Sequence, residues 1–241
     1  MSRLRAGIRT DFQVQVRNNL YAIGIIVSVI LAIAMAFLAR PDQLPIVAAA
    51  ALILIAGGST LLYVGAMIVF EKDEGTLRAL TVSPVRSWEY LGAKVITLTI
   101  IAAIETAIIV GGATVILSAD ATIPIPNVLL LLLATVAMSV LYTLIGIIMV
   151  VRFRSITDYL VPLSFLATIL QLPFFYFMGV FAHPSLLAIP TSAPAMILMS
   201  AYRPLLPWEW IYGLGYTAVL LVGLSVWANA AFNKHIIGGA E

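Results

Sequence analysis

Six long apolar blocks set the terms on which this chain can fold. Residues 20–39, 46–70, 128–151, 159–181 and 211–232 contain no Asp, Glu, Lys or Arg, and residues 95–118 contain only Glu105. A helix of about 20 apolar residues crosses the roughly 30 Å of a bilayer's hydrocarbon core, and each block meets that length. A water-facing surface has no place for such runs: 62% of the residues are hydrophobic and only 10% charged, against about 25% charged in soluble domains. Barrel strands need about 9–11 residues with strict in–out alternation, which these blocks lack. The expectation is an all-α integral membrane protein, a single domain over residues 1–241 with six transmembrane helices.

A basic leader precedes the first block, as in a secretory signal. A cleaved signal has an apolar core of about 7–15 residues, so residues 20–39 read as a retained first span. Between the spans, Arg3, Arg5, Arg9, Arg17, Lys72, Arg78, Arg86, Lys94, Arg152, Arg154 and Lys234 fall on one side, and only Arg40 and Arg203 on the other. Basic residues near span ends are retained in the cytoplasm. The crowded side is therefore predicted to be cytoplasmic, and an even number of spans returns the C-terminus to it.

Several classes of function find no support in the residues. The net charge is +2 and the basic residues form no stripe that tracks phosphates, so nucleic acid is not an expected partner. There is no cysteine, and His183 and His235 stand far apart with no second ligand type beside them, so no metal site is predicted. No Gly-x-x-x-x-Gly-Lys-Ser/Thr phosphate loop, His-Glu-x-x-His or Gly-x-Ser-x-Gly occurs, and no catalytic residue is assigned.

Three segments lie outside the spans. In residues 1–19, Leu4, Ile8 and Phe12 recur every fourth position among arginines, the pattern of an amphipathic helix in the headgroup plane entering the first span through a bend; a disordered basic leader is the alternative. Residues 182–210 hold Pro184, Pro190, Pro194, Pro204 and Pro207 among apolar residues. They are too apolar for a solvated loop and too rich in proline to span, which predicts short re-entrant external helices in the outer leaflet. Trp208, Trp210, Tyr202 and Tyr212 suit the interface.

The third segment, residues 71–94, is the most informative. Asp73 and Glu74 precede Leu77, Leu80 and Val82, so a short helix can begin with carboxylates at its positive end. Ser83-Pro84 ends it and opens a second helix through Trp88 and Leu91 into the third span. The result is a charged helical elbow, which in an arbitrary protein is simply a solvated connection.

Within the bilayer, Glu105 follows Lys94 by eleven residues, roughly 16 Å along a helix and near mid-membrane. A carboxylate there faces the bundle or a wet cavity. Either it contacts cationic or zwitterionic substrates or switches on protonation, or it is a neutral acid bonded across the bundle to Tyr142 or Thr143. Gln171 and Pro173 precede Phe174, Phe175 and Tyr176; the proline kinks the fifth span, and the aromatics either line a path or pack. Gly57-Gly58-Ser59-Thr60 permits close helix contact, at a dimer seam or within the chain.

The run Phe70-Glu71-Lys72, Gly75-Thr76-Leu77, Leu80, Ser83-Pro84, Glu89-Tyr90-Leu91 and Lys94 resembles the coupling loop between the second and third spans of type 2 ABC transporter permeases. The six spans, the amphipathic N-terminal helix and the proline-rich segment before the last span extend the resemblance over nearly the whole chain. The wording of Pro84 to Leu91 is most similar to small bacterial drug-efflux permeases of the fluoroquinolone-exporter kind.

The resemblance implies a non-enzymatic permease subunit of an exporter. It would pair with a second permease chain as a homo- or heterodimer, driven by separate cytoplasmic ABC ATPase subunits that bind ATP and magnesium. No cofactor is expected on this chain. The setting implied is the plasma membrane of a bacterium or archaeon, among membrane lipids, and the cargo a hydrophobic or amphipathic small molecule moved outward. Lipid or polysaccharide export fits the same architecture; a proton- or ion-coupled carrier using Glu105, or a scaffold, are the rivals. Glu71, Lys72, Asp73, Glu74, Gly75, Thr76, Leu77, Arg78, Leu80, Ser83 and Pro84 would form the ATPase-coupling element. Glu105, Gln171, Phe174, Phe175 and Tyr176 are the candidate pathway residues.

Overall fold

The computed structural model describes residues 2–38, 40, 43–77, 85–118, 125–153 and 155–238, and every regular element among them is helical. Helix α1, Ser2–Arg17, ends where Asn18 and Asn19 turn the chain into α2, Leu20–Leu38. Asn19 takes a left-handed conformation with φ 57°, which its short polar side chain tolerates better than most residues. Helix α3, Leu44–Asp73, has a proline in its first turn and a π turn at Leu52–Ala56.

Helix α4, Ser87–Leu117, starts eight residues before the apolar block it contains. Glu89 accepts the Arg86 backbone N–H at 2.9 Å and satisfies one orphan donor of the first turn, so the polar entry and the span form one continuous rod. Helix α5, Val128–Val150, is capped by Asn127, whose side chain accepts from the Leu129 and Leu130 amides at 3.0 and 3.3 Å.

The fifth span breaks at Leu172 into α6, Ile156–Gln171, and α7, Pro173–Phe177, because Pro173 has no N–H to continue the ladder. A short 3-10 turn, Pro184–Ala188, leads to α8, Ser192–Met199. All eight residues of α8 are buried. It is the kind of short, proline-bearing segment that survives at membrane depth only when enclosed by protein. The last span is α9, Pro207–Ile237, with π turns at Ile211–Tyr216 and Asn233–Ile237.

Among the described residues, six helices are long and apolar enough to cross a membrane, and the chain is a multi-pass membrane protein. Helix α5 is the hub, packed against α3, α4, α8 and α9, whereas α2 leans chiefly on α4 and α1. The outer faces of α2 (Ile26, Ile30, Phe37), α6 (Val161, Phe165) and α9 (Val219, Val222, Trp227) are open. In water such faces would drive aggregation; in hydrocarbon they are solvated.

Glycines set how closely α3 approaches its neighbours. A side chain at Gly57 would collide with the Tyr142 ring of α5, one at Gly65 with the Tyr159 ring of α6, and one at Gly146 with Val64. The Tyr142 hydroxyl donates to the Ile53 carbonyl at 3.1 Å, within the π turn, where the i−4 ladder is interrupted. Tyr159 donates to the Leu61 carbonyl at 3.3 Å. Gly57 thus serves packing within the chain, and Ser59 turns toward α4.

Candidate functional site

Helix α1, the first turns of α4, the last turns of α3 and α5 and the end of α9 meet at one end of the bundle. There α3 ends in three consecutive charges, of which Glu71 and Lys72 lie about 100° apart around the helix axis and point to different neighbours. Glu71 bonds the Lys94 ammonium and accepts the Tyr90 hydroxyl, both from α4. Lys94, with no exposed surface, also binds Asp11 of α1 at 2.6 Å and sits 5.1 Å from the centroid of the Tyr90 ring. Tyr90 in turn stacks on Phe232 of α9 at 5.0 Å, and Ser87 meets Asn233.

Two carboxylates therefore share one cation, and the second oxygen of Asp11 is buried without a partner among the described residues. Burial pushes the Asp11 carboxyl above its usual range, against the opposing pull of the Lys94 ammonium. One turn further along α1, Gln15 donates to Thr97 of α4 at 2.9 Å. Leu4, Ile8, Asp11 and Gln15 thus occupy one face of α1, with Leu4 against Gly92 and Gly7 against Ala93.

Lys72 reaches the other way. Its ammonium donates to the carbonyls of Val150, Val151 and Phe153 at 2.9, 3.2 and 2.6 Å. These belong to the C-terminal end of α5, where carbonyls lack intrahelical donors and a cation is favoured.

Beyond this pair the chain leaves the bundle. Asp73 and Glu74 are exposed, and Glu74 makes only a loose, solvated ion pair with Arg17 at 3.9 Å. Gly75 turns left-handed with φ 72°, Thr76 Oγ1 donates back to the Glu71 carbonyl at 2.9 Å, and Leu77 is buried. Asp73 closes α3, Gly75 supplies the break, and helical structure resumes at Thr76 and Leu77, after the two carboxylates. Arg78, Leu80, Ser83 and Pro84 lie outside the described residues, and α4 itself opens at Ser87.

The candidate pathway residues separate into two places. Glu105 is buried where α2, α3 and α4 meet: Ser59 donates to it at 2.6 Å and Tyr63 at 3.1 Å, with Gly24 of α2 against its carboxylate. The expected partners lie elsewhere, since Tyr142 serves the Ile53 carbonyl and the Thr143 hydroxyl has no partner among the described residues. Gln171, Phe174 and Phe175 line an open groove of about 290 Å³ with Leu54, Thr168 and Leu172, beside the π turn of α3 and the break between α6 and α7. Tyr176 does not line it; its ring packs edge-on against Phe177 at 5.5 Å.

Asp11, Gln15 and Tyr63 are not singled out by the sequence pattern, and Ser59 only as part of the close-contact run Gly57-Gly58-Ser59-Thr60. A signal existed for the first two: Asp11 and Gln15 continue the spacing of Leu4 and Ile8, placing polar groups where an apolar stripe is expected. Ser59 and Tyr63 stand four residues apart on α3 and share a face.

A polytopic bundle with a short, proline-bearing buried helix, and with a cluster of charges at one end, has the build of a transport permease. The family model described as the fluoroquinolones export permease protein family matches residues 2–240, and the chain belongs to that family. Two fluoroquinolones export permease proteins of Mycobacterium tuberculosis, from strains CDC 1551 / Oshkosh and ATCC 25618 / H37Rv, are each 30% identical to it over 243 residues. Each alignment covers 98% of this chain and 98% of the relative. The role is that of a transport subunit.

Proposed function

We propose that this chain is the membrane-spanning subunit of an ATP-binding-cassette exporter, working beside a second permease chain and powered by a separately encoded ATPase that binds ATP and magnesium. The observation that carries this reading is the acidic elbow after α3, with Asp73 and Glu74 exposed and its base anchored to three other helices. An exposed, charged element rooted in the bundle is a handle for a motor, and the sequence has no phosphate loop of its own. On this reading the elbow and both termini face the cytoplasm of a bacterial or archaeal cell.

The cargo is a planar amphipathic aromatic of the fluoroquinolone kind. The groove at Gln171, Phe174 and Phe175 supports it, because rings stack on aromatic faces while the amide orients a polar edge. Glu105 offers a carboxylate to a basic amine that passes between α2 and α3. The same carboxylate, held by Ser59 and Tyr63, favours a proton-coupled carrier as the second reading.

The test is uptake of a fluoroquinolone into inside-out vesicles containing the chain and the ATPase encoded beside it. Uptake should require ATP hydrolysis and persist when the proton gradient is collapsed. Charge reversal at Glu74, or Leu77→Pro, should leave ATP hydrolysis intact and abolish uptake. Uptake driven by a proton gradient without ATP would overturn the exporter in favour of the carrier.

A further inference from the structure

Consecutive charges at a helix end ordinarily both face solvent, yet Glu71 and Lys72 are both turned into the protein and make bonds to different helices. Glu71 holds Lys94 and Tyr90 of α4 and, through Lys94, Asp11 of α1. Lys72 holds three carbonyls at the end of α5, the hub of the bundle. The charged ends of both side chains are engaged within the chain, and both residues are partly buried. The residues that follow at once, Asp73 and Glu74, are exposed.

We infer that Glu71 and Lys72 are positioning residues that form a two-pronged linkage, dividing the displacement of the elbow between α1–α4 and α5. They are not ATPase-contact residues. This inference rests on the exporter reading and adds how motion leaves the elbow. A push on the elbow moves the last turn of α3 first. The Glu71 prong carries it into the start of α4 and the interfacial helix α1, and the Lys72 prong carries it into the foot of α5.

Each prong is stiff for a stated reason. The Lys94 ammonium is fully buried between two carboxylates, so its bonds are not exchanged with water. Lys72 grips a helix terminus at three points, and a helix transmits axial displacement along its whole length. Covalent connection joins the elbow directly to neither α1 nor α5: α1 precedes the first span, and α5 lies two spans further along the chain than α3.

The absence of cysteine allows a direct test in the complex of permease and ATPase. Gln13→Cys on α1 and Leu129→Cys at the far end of α5, both exposed positions, are labelled one at a time with an environment-sensitive dye, and the change on adding ATP is read. Lys72→Met should reduce the Leu129 signal about fivefold or more while sparing the Gln13 signal, with Lys72→Arg restoring it; Glu71→Gln should do the reverse. Glu71→Gln keeps the Lys94–Asp11 pair and removes the surplus charge, so it is expected to fold; Tyr90→Phe, which deletes one hydroxyl from the same prong, is the milder second variant.

A merely structural role would lower both signals together in each variant. Equal loss in both reporters, or wild-type signals in both variants, overturns the linkage and leaves the exporter standing. A wild-type complex that assembles no ATPase, or shows no ATP-driven signal at either reporter, overturns the exporter reading and the linkage with it.

Discussion

Lys94 has no exposed surface and stands between Asp11 and Glu71. Its removal would leave one buried and one partly buried carboxylate without a cation, and breaking a buried pair costs about 3–5 kcal/mol. Lys94→Met should therefore lower the melting temperature in detergent markedly, measured by thermal shift. The pH dependence has a defined sign. Asp11 already titrates above the usual carboxylate range because of burial, so the native state holds its proton more tightly than the unfolded chain. The stability linked to that proton is full below the unfolded carboxylate pKa and is lost as pH rises through the higher folded value. Lys94 is the opposing cation, so the deficit of Lys94→Met relative to wild type should widen as pH rises above the unfolded carboxylate range. A constant deficit across that rise would show that the carboxylates are not the cause.

Among the elements, α3 is the one whose shape depends most on absent side chains. Gly57 and Gly65 accept the rings of Tyr142 and Tyr159, which lie on α5 and α6. Gly65→Ala should overpack this seam and destabilise the protein by about 1–3 kcal/mol, whereas Gly111→Ala on α4, with nothing within 4 Å of the added carbon, should be tolerated. Thermal unfolding of the two variants side by side checks this. The helical rise and the apolar runs predict α2 and α5 closely, because hydrocarbon demands a minimum length and nothing else. Element ends are less legible. Helix α4 begins at Ser87, since Glu89 caps a turn that hydropathy does not register, and α3 runs on through Asp73 until Gly75 permits the turn.

At the scale of the whole molecule, the distribution of Lys and Arg predicts which end of the bundle is retained in the cytoplasm, and two of those residues, Lys72 and Lys94, tie neighbouring helices together. A single cysteine at Asn18 or at Leu206, both exposed, reports on opposite ends of the bundle. A membrane-impermeant maleimide should label Leu206→Cys in intact cells and Asn18→Cys only after permeabilisation. The opposite pattern would invert the topology and remove the elbow from the reach of any cytoplasmic ATPase. The re-entrant α8 belongs to this scale as well: its prolines predict a segment that does not span, but its burial depends on α3, α5 and α9 closing around it.

Hydrophobic length and basic-residue bias are properties of the linear chain, since a bilayer reads them segment by segment. For that reason six spans, an amphipathic leader and a charged elbow are all visible before any folding is known. Azimuth is different, because which way a side chain points around a helix matters only once a neighbour is placed there. Glu105 meeting Ser59 and Tyr63 across α3, and not Tyr142, was settled by which helix lies beside which. So was the inward turn of Glu71 and Lys72, two charges that the one-dimensional pattern assigns to solvent and three-dimensional packing commits to α4 and α5.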